Sequence, residues 1–214
     1  FDVRADFSLT NDVAAKNPKK LAELQALFLK EAAKYHVLPM DDRVFERLDG
    51  AAVGRPDLMA GRNSITLAEG MSGMMEGVFP NVKNRSKVIT AEIEVPADGG
   101  NGTLIAQGGR FGGWSLYVKD GVPAYDYNFL GLQRFSVASA KKLAPGKHTL
   151  VFDFAYDGGG PATGGKGTLL VDGEKAGEGR IGVTQPGLFS ADETADIGID
   201  LGTPVVEAIG AEAK

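Results

Sequence analysis

At 214 residues, with 43% apolar and 24% charged residues, the chain has the composition of an ordinary globular protein large enough for one well-packed core. A net charge of −5 and the lack of any basic block exclude a nucleic-acid binder and a binder of anionic membranes, since both need clustered Lys and Arg. The absence of cysteine removes disulfides, thiol nucleophiles and thiolate metal sites together, and leaves the compartment open between periplasm and cytoplasm.

Thirty glycines, about double the usual share, announce many turns. No stretch approaches the roughly 20 apolar residues of a membrane span. A start at Phe1 with no signal-like apolar run reads as an interior piece of something longer.

The first element in the chain is a helix. Asn17 suits the N-cap and Pro18 the first helical position, where a missing N–H is harmless. Leu21, Leu24, Phe28 and Ala32 recur at spacings of three and four, with Leu27 and Tyr35 beside them. Lys19, Lys20, Glu23, Lys30 and Lys34 fall mostly on the other face. The helix should end before Pro39, which biases Leu38 away from the α region. Residues 41–62 mix charge, Gly and Pro with weak periodicity and read as a connector.

Strand signals begin near residue 63. Ser64–Ala68 is a weak one. In Val88–Val95, Ile89, Ala91, Ile93 and Val95 share one face while Thr90, Glu92 and Glu94 share the other. Thr103–Gln107 and Trp114–Val118 follow, and Asp120-Gly121 turns into Pro123–Phe129. Gln133–Ala138, His148–Tyr156 and Gly167–Val171 come next, the last turning through Asp172-Gly173 into Lys175–Gly179. Asp196–Leu201 supplies the final strand. Hairpins without intervening helices imply an antiparallel sheet, and so many strands must form a closed or two-layered structure. The expected fold is mainly β: an antiparallel two-sheet jelly-roll, or concanavalin-like, sandwich preceded by one amphipathic helix.

Motifs that carry chemistry are scarce. Gly160 to Gly167 comes within one residue of a phosphate-binding loop, but Gly167 stands where a Ser or Thr should hold magnesium, and no helix follows. Gly108-Gly109-Arg110-Phe111-Gly112-Gly113 leads into a strand, which fits a bulge or close backbone approach and not a dinucleotide site. His36 and His148 have no second His or Cys near them in sequence, and no Gly-x-Ser-x-Gly elbow accompanies them. Asp192, Glu193, Asp196 and Asp200 crowd one segment, which suits either a calcium site or a solvent-facing strand edge. Trp114, Tyr117, Tyr125, Tyr127 and Phe129 gather around one hairpin, as core or as a platform for sugar rings. Trp114, Leu116 and Val118 share a face, which favours core for the tryptophan.

The order of motifs nevertheless resembles a known family. Phe1 to Asp12, followed by Asn17-Pro18-Lys19-Lys20-Leu21-Ala22-Glu23-Leu24 and Val37-Leu38-Pro39-Met40-Asp41-Asp42-Arg43, is similar to the end of the catalytic domain of bacterial arylsulfatases. The likeness continues through Asn84-Arg85-Ser86, Gln107 to Tyr117, Tyr127-Asn128-Phe129, Pro145-Gly146-Lys147-His148, Phe154 to Gly160 and Phe189 to Thr194. It implies that residues 1–48 close a sulfatase catalytic domain and that residues 49–214 form its C-terminal sandwich.

In that family a Cys or Ser in a Cys/Ser-x-Pro-x-Arg motif becomes the formylglycine nucleophile, and a calcium ion polarises the sulfate. No such motif occurs here, so the resemblance implies a chain with no catalytic or metal-ligating residue, inactive alone, whose calcium belongs to the absent catalytic domain. The implied role is structural support of that domain and its active-site cleft. The implied partner is the catalytic domain, and secondarily another copy through an exposed helix or sheet edge. A non-catalytic carbohydrate-binding module is the alternative. The family usually continues past a segment like Gly202-Thr203-Pro204-Val205 into one more apolar strand, whereas Glu207–Lys214 is Ala- and Glu-rich and not strand-like.

Overall fold

A computed structural model describes residues 1–43 and 53–210. It divides the chain into two compact units, Phe1–Arg47 and Leu48–Lys214. The connector expected over residues 41–62 lies partly outside the described residues, which resume at Val53.

The first unit is built around α1, Pro18–Lys34, preceded by a 3-10 turn at Ala14–Lys16. Proline at the first turn and a stop well before Pro39 match the sequence pattern. Asn17 precedes the helix, but its side chain donates back to the Val13 carbonyl and so caps nothing. The sequence placed a cap where the 3-10 turn had already claimed the amide.

The second unit is a sandwich of two antiparallel sheets. Its strands are β1 Met74–Met75, β2 Lys87–Val95, β3 Gly102–Gly109, β4 Gly112–Lys119, β5 Val122–Phe129, β6 Gln133–Ala138, β7 Gly146–Tyr156, β8 Gly165–Val171, β9 Glu174–Ile181 and β10 Thr194–Ile197. One sheet runs β1-β10-β3-β4-β5-β6 and the other β2-β7-β8-β9. This is the jelly-roll, concanavalin-like sandwich. The chain crosses between the layers after β1, β2, β6 and β9, while β3 to β6 and β7 to β9 are hairpin runs.

Hairpin chemistry sets the register. Asp120 and Gly121 have φ of 51° and 79°, and Asp172 and Gly173 of 52° and 86°. Two successive positive φ angles are the type I′ turn that matches strand twist, which is why Asp-Gly sits there. The β3–β4 turn is tighter still. A Cβ on Gly113 would lie 2.3 Å from the Gln107 carbonyl oxygen, and one on Gly108 2.2 Å from that of Gly112. Asn128 holds this hairpin from β5, its amide donating to the carbonyls of Gly109 and Arg110 at 3.1 and 2.7 Å. The close backbone approach expected of this glycine run is therefore its role.

The core lies between the sheets. Trp114, Leu116, Tyr125, Tyr127 and Val137 face Phe152, Phe154, Leu169 and Ile181. Tyr125 stacks on Phe152 at 3.6 Å between ring centroids and on Trp114 at 5.9 Å, tying the layers together. In β2 the residues Ile89, Ala91, Ile93 and Val95 turn inward and their neighbours outward, as the alternation requires.

Three strand expectations change. Ser64–Ala68 forms no strand: Leu67 still packs on the core, but the ladder position beside β10 is taken by Met74–Met75. The last strand is Thr194–Ile197, not Asp196–Leu201, because the chain turns away at Gly198 with φ of 80°. Residues 200–209 then cross the outer face of the larger sheet, where Val205 and Val206 bury against Ala106, Tyr117 and Ala124. The six-stranded sheet is thus covered on both sides, and β4 is buried along nearly its whole length.

Candidate functional site

The charged groups drawn into the sandwich converge where the two layers meet near the start of β2. The turn after β1 carries Glu76, and Lys83 sits in the following loop, where its amide donates to the Asn81 side chain at 3.1 Å. Asn84, with φ of 55°, fixes that loop at two points: its amide donates to the Pro186 carbonyl at 2.8 Å and its oxygen accepts the Ala162 amide at 3.1 Å. Lys87 opens β2 opposite Phe154. Its phase is that of Ile89 and Ala91, so its side chain points inward.

Lys83 and Glu76 form a buried ion pair, their side chains 6% and 12% exposed. Glu76 also accepts from the Gln107 amide at 3.4 Å, and Gln107 in turn accepts the Trp114 indole N–H at 3.1 Å. Gln107 and Trp114 are direct cross-strand partners, so the ladder itself aligns this relay. The Lys83 ammonium also lies 5.2 Å from the Phe189 ring centre.

Lys87 is different. The residue is half-buried, and its ammonium lies 5.0 Å from the Trp114 ring centre and 5.5 Å from that of Phe154. No carboxylate pairs with it among the described residues. Burial first, and the Lys83 charge second, push its titration down to about 7. A cavity of about 10 Å³ adjoins it, lined by Val82, Lys83, Asn84, Tyr127, Thr184 and Phe189 among others. That is room for one water-sized occupant.

The residues singled out from sequence are placed elsewhere. Residues 157–164 form the loop between β7 and β8, with no helix after it. His148 faces two acceptors, Asp172 at 2.7 Å from Nδ1 and the Ala144 carbonyl at 2.8 Å from Nε2. That arrangement favours the doubly protonated ring, and the Asp172 hydrogen bond holds its pKa above the ordinary value. His36 lies just past the helix with φ of 56°.

The acidic segment is not a solvent-facing edge. β10 lies between β1 and β3, and Asp196 and Asp200 are each 1% exposed. Asp196 accepts the Gly73 amide at 2.7 Å, the Thr194 hydroxyl at 3.0 Å and the Leu201 amide at 3.3 Å. Asp200 accepts the Val205 amide at 2.9 Å, and Glu193 takes the amide and hydroxyl of Thr203. These carboxylates clamp residues 200–205 onto the sheet, while Asp192 stays exposed. No group of three or more His, Asp or Glu side chains among the described residues is arranged to hold a metal ion.

Tyr117, Tyr125 and Tyr127 are 7%, 0% and 2% exposed, so the aromatic hairpin is core. Sequence reasoning missed Lys83, Lys87 and Glu76. The available signal was the inward phase of Lys87, one step before an alternating strand.

No family model matches the sequence, and neither does any curated protein. Among solved structures the chain is similar to the LG1-3 region of the laminin α2 chain, with a TM-score of 0.40 and 15% identity over 61% of this chain and 25% of that one. It is also similar to the native heptameric SAP-like pentraxin from Limulus polyphemus, with a TM-score of 0.37 and 15% identity over 62% of this chain and 57% of that one. The chain therefore matches less than two thirds of the length of either. No helix among the described residues is long and apolar enough to cross a membrane.

Proposed function

We propose that the chain is the non-catalytic C-terminal portion of an arylsulfatase-like sulfate ester hydrolase, a helix and a supporting sandwich that act on a separate catalytic domain. The observation that carries this reading is the apolar face of α1. Leu21, Leu24 and Phe28 are 39%, 50% and 49% exposed, and Ala32 is the helix's one buried residue. An amphipathic helix of this kind gains its stability by covering such a face. The resemblance in motif order names the partner: the domain whose last helix this would be. The formylglycine nucleophile and the calcium ion belong to that domain.

The sugar-binding alternative loses the residues that carried it, because its three tyrosines are buried, Tyr125 and Tyr127 between the sheets and Tyr117 beneath residues 200–209. A ring can stack on a sugar only from an accessible face.

The purified chain is expected to show no turnover of p-nitrophenyl sulfate. Mixed with an arylsulfatase catalytic domain that lacks its own C-terminal region, it should bind and raise hydrolysis. Leu24→Glu together with Phe28→Glu should abolish both effects. Hydrolysis by the chain alone would overturn the proposal, and so would binding indifferent to the double substitution.

A further inference from the structure

We propose that the cavity beside Lys87 is a binding site for a single small monovalent anion of chloride size. Four observations on the site lead there.

The first is charge. Two ammonium groups, Lys83 and Lys87, meet one carboxylate, Glu76, so the cluster carries one cation in excess. Val82 and the rings of Tyr127, Phe154 and Phe189 form the apolar half of its wall, against which an unneutralised charge is costly. The second is hydrogen-bonding capacity. The Lys87 ammonium has cation–π contacts to Trp114 and Phe154 but no acceptor among the described residues. The Tyr127 oxygen already accepts the Gln185 amide at 2.6 Å, which leaves its O–H to donate.

The third is that the other polar groups around the cavity are engaged. Asn84 donates to Pro186 and accepts from Ala162, and Thr184 donates to the Thr163 carbonyl at 2.7 Å. Lys87 and Tyr127 thus offer donors with no acceptor to meet them. The fourth is size. A cavity of about 10 Å³ admits one atom-sized occupant and excludes sulfate, phosphate or a carboxylate ligand. A water would satisfy the donors but leave the charge, whereas a halide does both.

Occupancy is linked to a proton. An anion favours the charged amine, so binding draws a proton onto Lys87 and weakens as pH rises above about 7. The other ionisable groups around the amine are Lys83 and Glu76 from the segment before β2, Tyr127 from β5 and Tyr156 from β7. Lys83 is paired with Glu76, and burial pushes the Tyr127 hydroxyl up from its ordinary range. Lys87 is therefore the group that titrates with the anion.

The test uses the full 214-residue chain and sodium chloride as the probe, with gluconate replacing chloride at constant ionic strength. Trp114, the sole tryptophan, faces the Lys87 ammonium and reports directly through its emission. Chloride should raise the unfolding midpoint and change that emission, both saturably. The apparent affinity should fall about tenfold per pH unit above about pH 7, as uptake of one proton requires. Tyr127→Phe should weaken binding about tenfold, the loss of one hydrogen bond to a charged partner, and Lys87→Met should remove the response.

Chlorine NMR line broadening by the unsubstituted chain, competed by bromide, needs no variant at all. Equal behaviour in chloride and gluconate would overturn the proposal. A chloride response kept by Lys87→Met, or an absence of line broadening, would do the same.

Discussion

Replacing Tyr125 by phenylalanine should make the protein more stable. Tyr125 is 0% exposed, its ring lies against Phe152 and Trp114, and its hydroxyl finds no hydrogen-bond partner. The ring therefore contributes the packing while the hydroxyl contributes a desolvation cost of about 1–3 kcal/mol. Its ionisation is suppressed well beyond the ordinary tyrosine range, chiefly by burial. Phenylalanine keeps the stack, removes the hydroxyl and leaves a gap of one oxygen atom, which offsets a fraction of the gain. The net expectation is about 1 kcal/mol of added stability, or a rise of about 2–4 °C in the midpoint for a domain of this size. Tyr125→Ala, by contrast, empties the interface between the layers and should cost about 3–5 kcal/mol. Urea unfolding followed by Trp114 emission measures both, with the slope m unchanged for Tyr125→Phe if the fold is intact. A loss of 1 kcal/mol or more in Tyr125→Phe would refute the reasoning, since it would mean the hydroxyl is satisfied.

Asp200 is raised to about 7, first by burial and then by Asp196 and Glu193, against the opposing Val205 hydrogen bond. A raised carboxyl binds its proton more tightly folded than unfolded, so stability falls as pH climbs from about 4 to about 7. Asp200→Asn should therefore stabilise by about 2–4 kcal/mol at pH 8 and by little at pH 4.5, in urea titrations at both values. His148 should titrate above the ordinary 6.5 by NMR and return toward it in Asp172→Asn; its contribution to stability is present at low pH and lost as pH rises through that value. Gly113→Ala places a Cβ 2.3 Å from a carbonyl oxygen and should cost about 3 kcal/mol or more, while Gly159→Ala meets nothing within 4 Å and should cost about 1 kcal/mol. Thermal unfolding of the pair separates collision from backbone strain, since both glycines have positive φ.

Legibility in the sequence followed the range of the interaction. Strands whose signal is local alternation, such as Lys87–Val95, or whose ends are marked by Asp-Gly turns, stand within a residue or two of where the pattern put them. Met74–Met75 carries no pattern of its own and is a strand only because β10 passes beside it. Asp196 and Asp200 were ambiguous for the same reason. Nothing near them reveals that residues 200–209 will fold back over the sheet and bury them. Val205 and Val206 needed that return to become core. The ion cluster joins the turn after β1, the start of β2 and strands β3 to β5, so no window of sequence contains it.

The distribution of uncovered apolar surface bears on how such a chain would associate. The six-stranded sheet is closed by the second sheet within and by residues 200–209 without. Apart from Val88, the outer face of the four-stranded sheet is polar, with Thr90, Glu92 and Glu94 on β2 and the Lys166–Glu178–Lys175 ion pairs across β8 and β9. Its long edge, β2, alternates outward charge, which discourages strand pairing with another molecule. The edge of the larger sheet at β1 is two residues long and offers little ladder to extend. The edges at β1 and β2 are therefore poor ground for strand pairing with another molecule. The contiguous apolar residues Leu21, Leu24 and Phe28 of α1 are where burial would repay contact, at about 25 cal/mol per Å². Among the two routes to a partner that the sequence suggests, the helix is the one the surface favours.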